Sequence, residues 1–351
     1  MPKTALAPYI SGLLLSICGG VLFSALHIPL PWMLGPLLVT GIAGVYEVPV
    51  KAVTGGRQVG QLFIGCILGQ YFSPDISWRV ISQWRMMLAT AVVALTAGIA
   101  GGALLARIAG IEQRTAYFCA IPGGAAEMAV LAERAGARFD RVALAQSLRV
   151  LIVVCTVPVI LTLAGATGTD NYIPQAKVVS ASGLMLLLAI ALTGGIIFDR
   201  CRIPNAFILG PLAASALLTM NGIKLSVIPQ FIGISGQLLM GWALGARFRP
   251  DLRNESGKFL LGTVAATLFS MAMLSIAAAL AAFLQGIPVE SMMLATAPGG
   301  ISEMCVTAKI LKLGVPIVTS FQVTRLAFLL ITALPVHRII EKLVSDRGST
   351  P

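Results

Sequence analysis

The sequence predicts an all-α, polytopic transmembrane protein made of two homologous halves of six apolar elements each. Three observations predict it. Of the 351 residues, 57% are hydrophobic and 11% charged, and the mean hydropathy is +0.90, which excludes an ordinary soluble chain. Apolar stretches of membrane-spanning length recur from end to end, and the longest polar intervals, such as 72–85, 246–258 and 338–351, are too short to fold alone. Finally, Pro122-Gly123-Gly124-Ala125-Ala126-Glu127-Met128 recurs as Pro298-Gly299-Gly300-Ile301-Ser302-Glu303-Met304, 176 positions later.

Six elements fit the first half at roughly 9–27, 32–46, 54–71, 86–109, 114–136 and 141–166. Six more fit the second at roughly 178–198, 206–221, 229–246, 258–285, 291–313 and 316–337. Residues 1–175 and 176–351 therefore read as a first and a second membrane repeat. Lys3 ahead of the run Ile10 to Leu26 imitates a signal peptide, but Val178 to Phe198 occupies the matching place in the second half, so the first element reads as a span. The next loops carry Ile28-Pro29 and Ile203-Pro204. Short second elements then open with Leu34-Gly35-Pro36-Leu37 and Leu209-Gly210-Pro211-Leu212.

The third elements read Gly60-Gln61-x-x-x-Gly65 and Gly236-Gln237-x-x-x-Gly241, each followed by Leu-Gly (Leu68-Gly69, Leu244-Gly245). Small residues at such spacing let helices approach closely in lipid, and the two glutamines could also face a polar path. Phe72-x-Pro74-Asp75 and Phe248-x-Pro250-Asp251 read as closing turns. The fourth elements are long and rich in alanine, as scaffold or interface spans are. The fifth hold the Pro-Gly-Gly breaks, and the sixth carry Gln146-x-x-Arg149 and Gln322-x-x-Arg325, residues three apart that share a helix face.

A Pro-Gly-Gly run removes an amide donor and lets the backbone leave helical geometry. At membrane depth such backbone must be surrounded by protein or water rather than lipid. A half-helix restarting after the break would present unpaired amides and its positive dipole end to a cavity, as transporter binding sites do. If the fifth and eleventh elements are re-entrant, ten spans remain, the second half is inverted, and most loop Lys and Arg fall on the side of the termini. If all twelve elements cross, the loop charges divide almost evenly. The excess of basic residues in cytoplasmic loops favours the inverted arrangement with both termini cytoplasmic. Lys177, Lys224, Arg249 and Arg253 enter that count.

The candidate substrate- or ion-binding residues are Pro122, Gly123, Gly124, Glu127, Gln146 and Arg149, with Pro298, Gly299, Gly300, Glu303, Gln322 and Arg325. An acid within a span is expensive and is kept there by a partner or a task. Glu127 and Glu303 can bind a proton or cation in a transport cycle, or simply satisfy the first-turn amides of their half-helices. Arg149 and Arg325 can neutralise those acids or hold an anionic solute. Gln146 and Gln322 would add neutral hydrogen bonds. The six cysteines lie mostly in apolar runs without C-x-x-C spacing and read as small packing residues. The formal charge of +11 is scattered through short loops, which argues for membrane topology and against direct nucleic-acid binding.

With the duplicated Leu-Gly-Pro-Leu, Gly-Gln-x-x-x-Gly and Pro-Gly-Gly-x-x-Glu-Met blocks in view, the chain resembles the AbrB integral-membrane family over nearly its whole length. Members carry labels such as regulator of gene expression (of aidB) or ammonia monooxygenase. They differ from the small soluble DNA-binding proteins that share the name. The repeat pattern is also similar in architecture to cation/proton antiporters and bile-acid symporters. The monooxygenase label is disfavoured, because catalytic copper or iron needs clustered His and carboxylate ligands, and the only two histidines, His27 and His337, have no second His at ligand spacing.

The expectation is thus a bacterial inner-membrane, multi-pass secondary transporter or permease of a small solute, working by alternating access. A membrane-bound sensor that indirectly regulates gene expression is the second reading. No enzyme activity, catalytic residue, cofactor or metal is expected. The expected partners are the lipid bilayer and a small-molecule or ion substrate, with no direct nucleic acid, and a second copy of the chain is admissible.

Overall fold

The computed structural model describes residues 3–168, 179–223, 225–248, 250, 252 and 255–348. Asp251 of the second expected turn, and Lys177, Lys224, Arg249 and Arg253 of the charge count, lie outside them. Among the described residues the secondary structure is helical, with no strand. In chain order the helices are α1 (Lys3–Ala25), α2 (Pro31–Val45), α3 (Gly56–Gly69), α4 (Pro74–Ser82), α5 (Trp84–Ala109), α6 (Gln113–Ala120), α7 (Ala125–Arg134) and α8 (Phe139–Leu163). They continue as α9 (Ala181–Arg200), α10 (Ala206–Met220), α11 (Gln230–Gly245), α12 (Gly257–Gln285), α13 (Val289–Thr296), α14 (Ile301–Leu311) and α15 (Val315–Gly348).

Six of these helices, α1, α5, α8, α9, α12 and α15, are long and apolar enough to cross a membrane. Their outward faces are apolar too: Met185 on α9 and Ile276 and Phe283 on α12 are largely exposed. A helix without a polar face is at home in lipid, so this is an all-α architecture of the polytopic membrane type.

One element differs from expectation. Residues 74–82 form α4, where Pro74-Asp75 reads as a turn. Proline is also well placed at the first position of a helix, where its missing amide costs nothing. The following Ile76, Trp78, Val80 and Ile81 then lie at helical spacing.

The chain forms two compact units, each drawing on both sequence halves. The first comprises Met1–Ser82, Val157–Asn254 and Ser302–Pro316. Within it α1 packs on α2 and α9 on α10, while α3 packs on α10 and α11 packs on α2. These contacts are reciprocal. Gly65 of α3 lies against the Ile208 backbone as Gly241 of α11 lies against that of Met33, and Gly69 meets Leu212 as Gly245 meets Leu37. The third helices touch each other at Gly60 and Gly236. Gly56 faces Leu239 and Gly233 faces Ile67, so the contacts climb one helix as they descend the other, and α3 and α11 run antiparallel. Where the halves differ in size, volumes trade: Gly12 of α1 sits under Trp242, and at the matching place Leu187 packs against Cys66.

The loops entering α2 and α10 share an uncommon backbone. His27 and Leu30 have φ of 54° and 52°, and Arg202 and Asn205 have φ of 57° and 53°. Asparagine tolerates the left-handed region, but for the fully buried Leu30 it costs about 1–2 kcal/mol, which its packing must offset.

The second unit comprises Gln83–Thr156, Glu255–Ile301 and Ile317–Pro351. The Ala-rich α5 and α12 pack along each other, α6 lies on α5, and α13 lies on α12. Its core includes Leu105, Phe118, Met128, Val142, Phe259 and Leu329. This unit carries both Pro-Gly-Gly breaks.

Candidate functional site

The helices stop where the sequence says they must. A residue before proline is pushed out of the α region, and Ile121 and Ala297 accordingly adopt extended backbone (ψ of 124° and 134°) at the ends of α6 and α13. Helical structure resumes at Ala125 and Ile301. Each break leaves carbonyls without an i+4 amide partner, and a bare buried carbonyl costs about 1–3 kcal/mol.

Side chains from α8 and α15 take those carbonyls. The Gln146 amide Nε2 donates to Phe118 O (2.8 Å), Ile121 O (2.9 Å) and Cys119 O (3.3 Å). Arg149 forks over the break, Nη1 to Ile121 O and Nη2 to Gly123 O, both at 2.8 Å. In the second break Gln322 Nε2 donates to Leu294 O (2.8 Å) and Ala297 O (3.1 Å). Arg325 Nη2 reaches Gly299 O (3.0 Å), and Nη1 reaches Thr296 O (3.0 Å) and Ala297 O. Arg325 Nη2 also donates to Gln322 Oε1 (2.7 Å). The four side chains are at most 5% exposed. Phe118, Ile121 and Gly123 match Leu294, Ala297 and Gly299 at the 176-residue offset, so the two clamps are the same device.

Of the two roles open to Arg149, neutralising an acid and holding an anionic solute, the first is not seen. Among the described residues no carboxylate lies within ion-pair distance of Arg149. Its charge is set against the negative ends of the α6 peptide dipoles instead, the favourable location for a cation at a helix C-terminus. Each clamp thus joins a span to a broken helix and fixes the shape of the break.

The acids sit differently in the two copies. Glu127 is half-buried in the first turn of α7, with its carboxylate folded back over the Gly124 Cα. Glu303 is buried, and the Ser302 hydroxyl donates to its Oε2 at 2.9 Å. The Thr307 hydroxyl donates to the Glu303 carbonyl at 2.8 Å. The division between units falls between Ile301 and Ser302, so Glu303 belongs to the first unit, whereas Pro122, Gly123, Gly124, Glu127, Gln146, Arg149, Pro298, Gly299, Gly300, Gln322 and Arg325 lie in the second.

Sequence reasoning missed the seat of the first break. Gly98 of α5 meets Ile121 and Pro122 with no room for a side chain, and Gly102 meets the Tyr117 backbone. Two glycines four apart in an Ala-rich span were the available signal. In the second copy Leu274 stands at the matching position, and its carbonyl accepts from the Thr296 hydroxyl at 3.3 Å.

A family model described as "Transition state regulatory protein AbrB" matches residues 32–341. The chain belongs to the AbrB family. Over 341 residues this AbrB-family chain is 26% identical to "Putative regulator AbrB" of Escherichia coli (strain K12), covering 95% of the chain and 97% of that protein. It is 22% identical over 359 residues to "Uncharacterized protein YhjN" of Bacillus subtilis (strain 168), covering 95% and 93%.

Proposed function

We propose that this AbrB-family chain is a secondary transporter or permease of a small solute in the bacterial inner membrane, with both termini cytoplasmic and the solute path at the two Pro-Gly-Gly breaks. One observation carries the reading. Both helix breaks lie in one compact unit and each is held by a buried guanidinium drawn from an apolar span, and interrupted backbone of this kind is kept at membrane depth where it lines a solute path. The antiparallel crossing of α3 and α11, equivalent helices of the two halves, supports an inverted repeat, the usual frame for alternating access. Glu127 and Glu303 are the proton- or cation-binding groups. The arginines hold the breaks open to an anionic group of the solute.

The test is solute-driven proton flux into vesicles carrying the purified protein, with candidates chosen by thermal-shift screening against organic anions, amines and metal cations. Flux abolished by Glu127→Gln or Glu303→Gln supports the assignment, and full flux in the double variant removes the acids from it. The second reading, a membrane-bound sensor with an indirect effect on gene expression, is favoured by the regulator names of the family and of the Escherichia coli relative. It would show as solute binding without flux. No enzymatic role enters either reading.

A further inference from the structure

A cavity of about 460 Å³ lies in the second unit between the C-terminal part of α5, the start of α6 (the half-helix that runs to the first break) and the C-terminal part of α15. Its size is that of a small-molecule site. Ile99, Ala103 and Ile340 give it apolar walls. Tyr117 and His337 line it as well, their ring centroids 5.1 Å apart, and the Tyr117 hydroxyl is fixed by donating to Ala333 O at 2.8 Å.

The polar part is one-sided. Arg114 Nε lies 2.8 Å from Glu341 Oε1 and 3.6 Å from Glu112 Oε1, and its Nη1 donates to Ala135 O at 3.1 Å. One guanidinium therefore faces two carboxylates, leaving a net negative charge. Beneath them His337 is 4% exposed, and its Nε2 stands 3.5 Å from Glu341 Oε1 without forming a hydrogen bond. A buried imidazole nitrogen without a partner costs free energy that a bound donor would recover.

The duplication does not account for these groups. At the matching positions of the other half stand Pro288 for Glu112, Glu290 for Arg114, Met293 for Tyr117, Leu161 for His337 and Gly165 for Glu341. Of these five only Glu290 is charged, so the set of two carboxylates, a guanidinium and an imidazole is not part of what the two halves share.

We propose that this cavity binds a small organic monocation, a primary ammonium on a short apolar body. One N–H is donated to His337 Nε2, the charge faces Glu341 and Glu112, and the body lies against Ile99, Ala103 and Ile340. An anion would meet the two carboxylates, and a neutral alcohol would leave the excess charge unanswered.

The experiment is calorimetric titration of the full-length protein in detergent at pH 8, where an imidazole is neutral, with n-butylammonium, n-butanol and butyrate. Saturable binding of n-butylammonium is expected, weakened roughly tenfold or more by Glu341→Gln, since a carboxylate facing the bound charge is lost. His337→Leu should weaken it comparably, and Glu112→Gln, at the exposed mouth, by a smaller factor while leaving the fold intact. Equal or tighter binding of butyrate or n-butanol overturns the proposal. So does absence of saturation by n-butylammonium, or unchanged affinity in Glu112→Gln together with His337→Leu.

Discussion

The two Pro-Gly-Gly breaks share a clamp and differ in their acids. Gln146 and Arg149 hold the first break by the same carbonyls that Gln322 and Arg325 hold in the second. Yet Glu127 is half-buried beside Ala126, whereas Glu303 is buried beside Ser302, whose hydroxyl it accepts from. What is common to both copies is what a broken helix needs in order to exist inside a membrane. What differs is free to serve chemistry, and it points to Glu303 as the more constrained acid and Glu127 as the more accessible one.

The largest effect should come from the shared part. Arg149→Met leaves the buried Gly123 carbonyl bare and removes one of the donors to Ile121 O, two charge-assisted hydrogen bonds in all, and should cost about 3 kcal/mol or more. Arg325→Met should do likewise, both read as a fall in melting temperature in detergent. Arg149→Lys should not restore stability, because a single, shorter-reaching ammonium lacks the planar pair of nitrogens that meet Ile121 O and Gly123 O separately. A wild-type melting point in that variant would break the idea that the clamp works by shape.

Next comes the seat. Gly98→Leu writes the second copy's residue into the first and drives a side chain into Ile121 and Pro122, an overpacking of about 1–3 kcal/mol by the same melting measurement.

The acids should separate further down. Glu303→Gln weakens the hydrogen bond from Ser302 and should cost about 1–2 kcal/mol. Ser302→Ala, which makes the second copy resemble the first at Ala126, should fall between the two acids at about 0.5–1.5 kcal/mol. Glu127→Gln loses only a favourable charge near a helix start, about 0.3–1 kcal/mol. Equal losses for the two acids would erase the contrast between the copies.

Much of this was legible beforehand, for physical reasons. Lone prolines such as Pro36, Pro158 and Pro335 sit inside helices, but proline followed by two glycines strongly disfavours helix at 121–124 and 297–300, so the breaks could be placed from sequence alone. The three-residue spacing put each Gln and Arg on one face. Their targets could not be read, because the acceptors are main-chain carbonyls and every residue has one. Pairing across the halves, α3 with α10 and α11 with α2, was hidden for a related reason: glycine spacing says that a helix approaches another closely, not which one. The cavity beside His337 escaped because its residues, near 112–117 and 337–341, are far apart and have no counterparts in the other half, so a search guided by repetition passes over them.

The division into units also sets the order in which the molecule can be completed. Each unit is assembled from three separate stretches, and the first still lacks α14 when everything through Asn254 has been synthesised. The second waits longer still, for α15. Neither can close while the ribosome is midway along the message, so early helices must wait in the bilayer with their glycine faces unmatched. Contacts between such distant stretches make assembly slow and leave those faces open to wrong neighbours until α10 and α11 arrive.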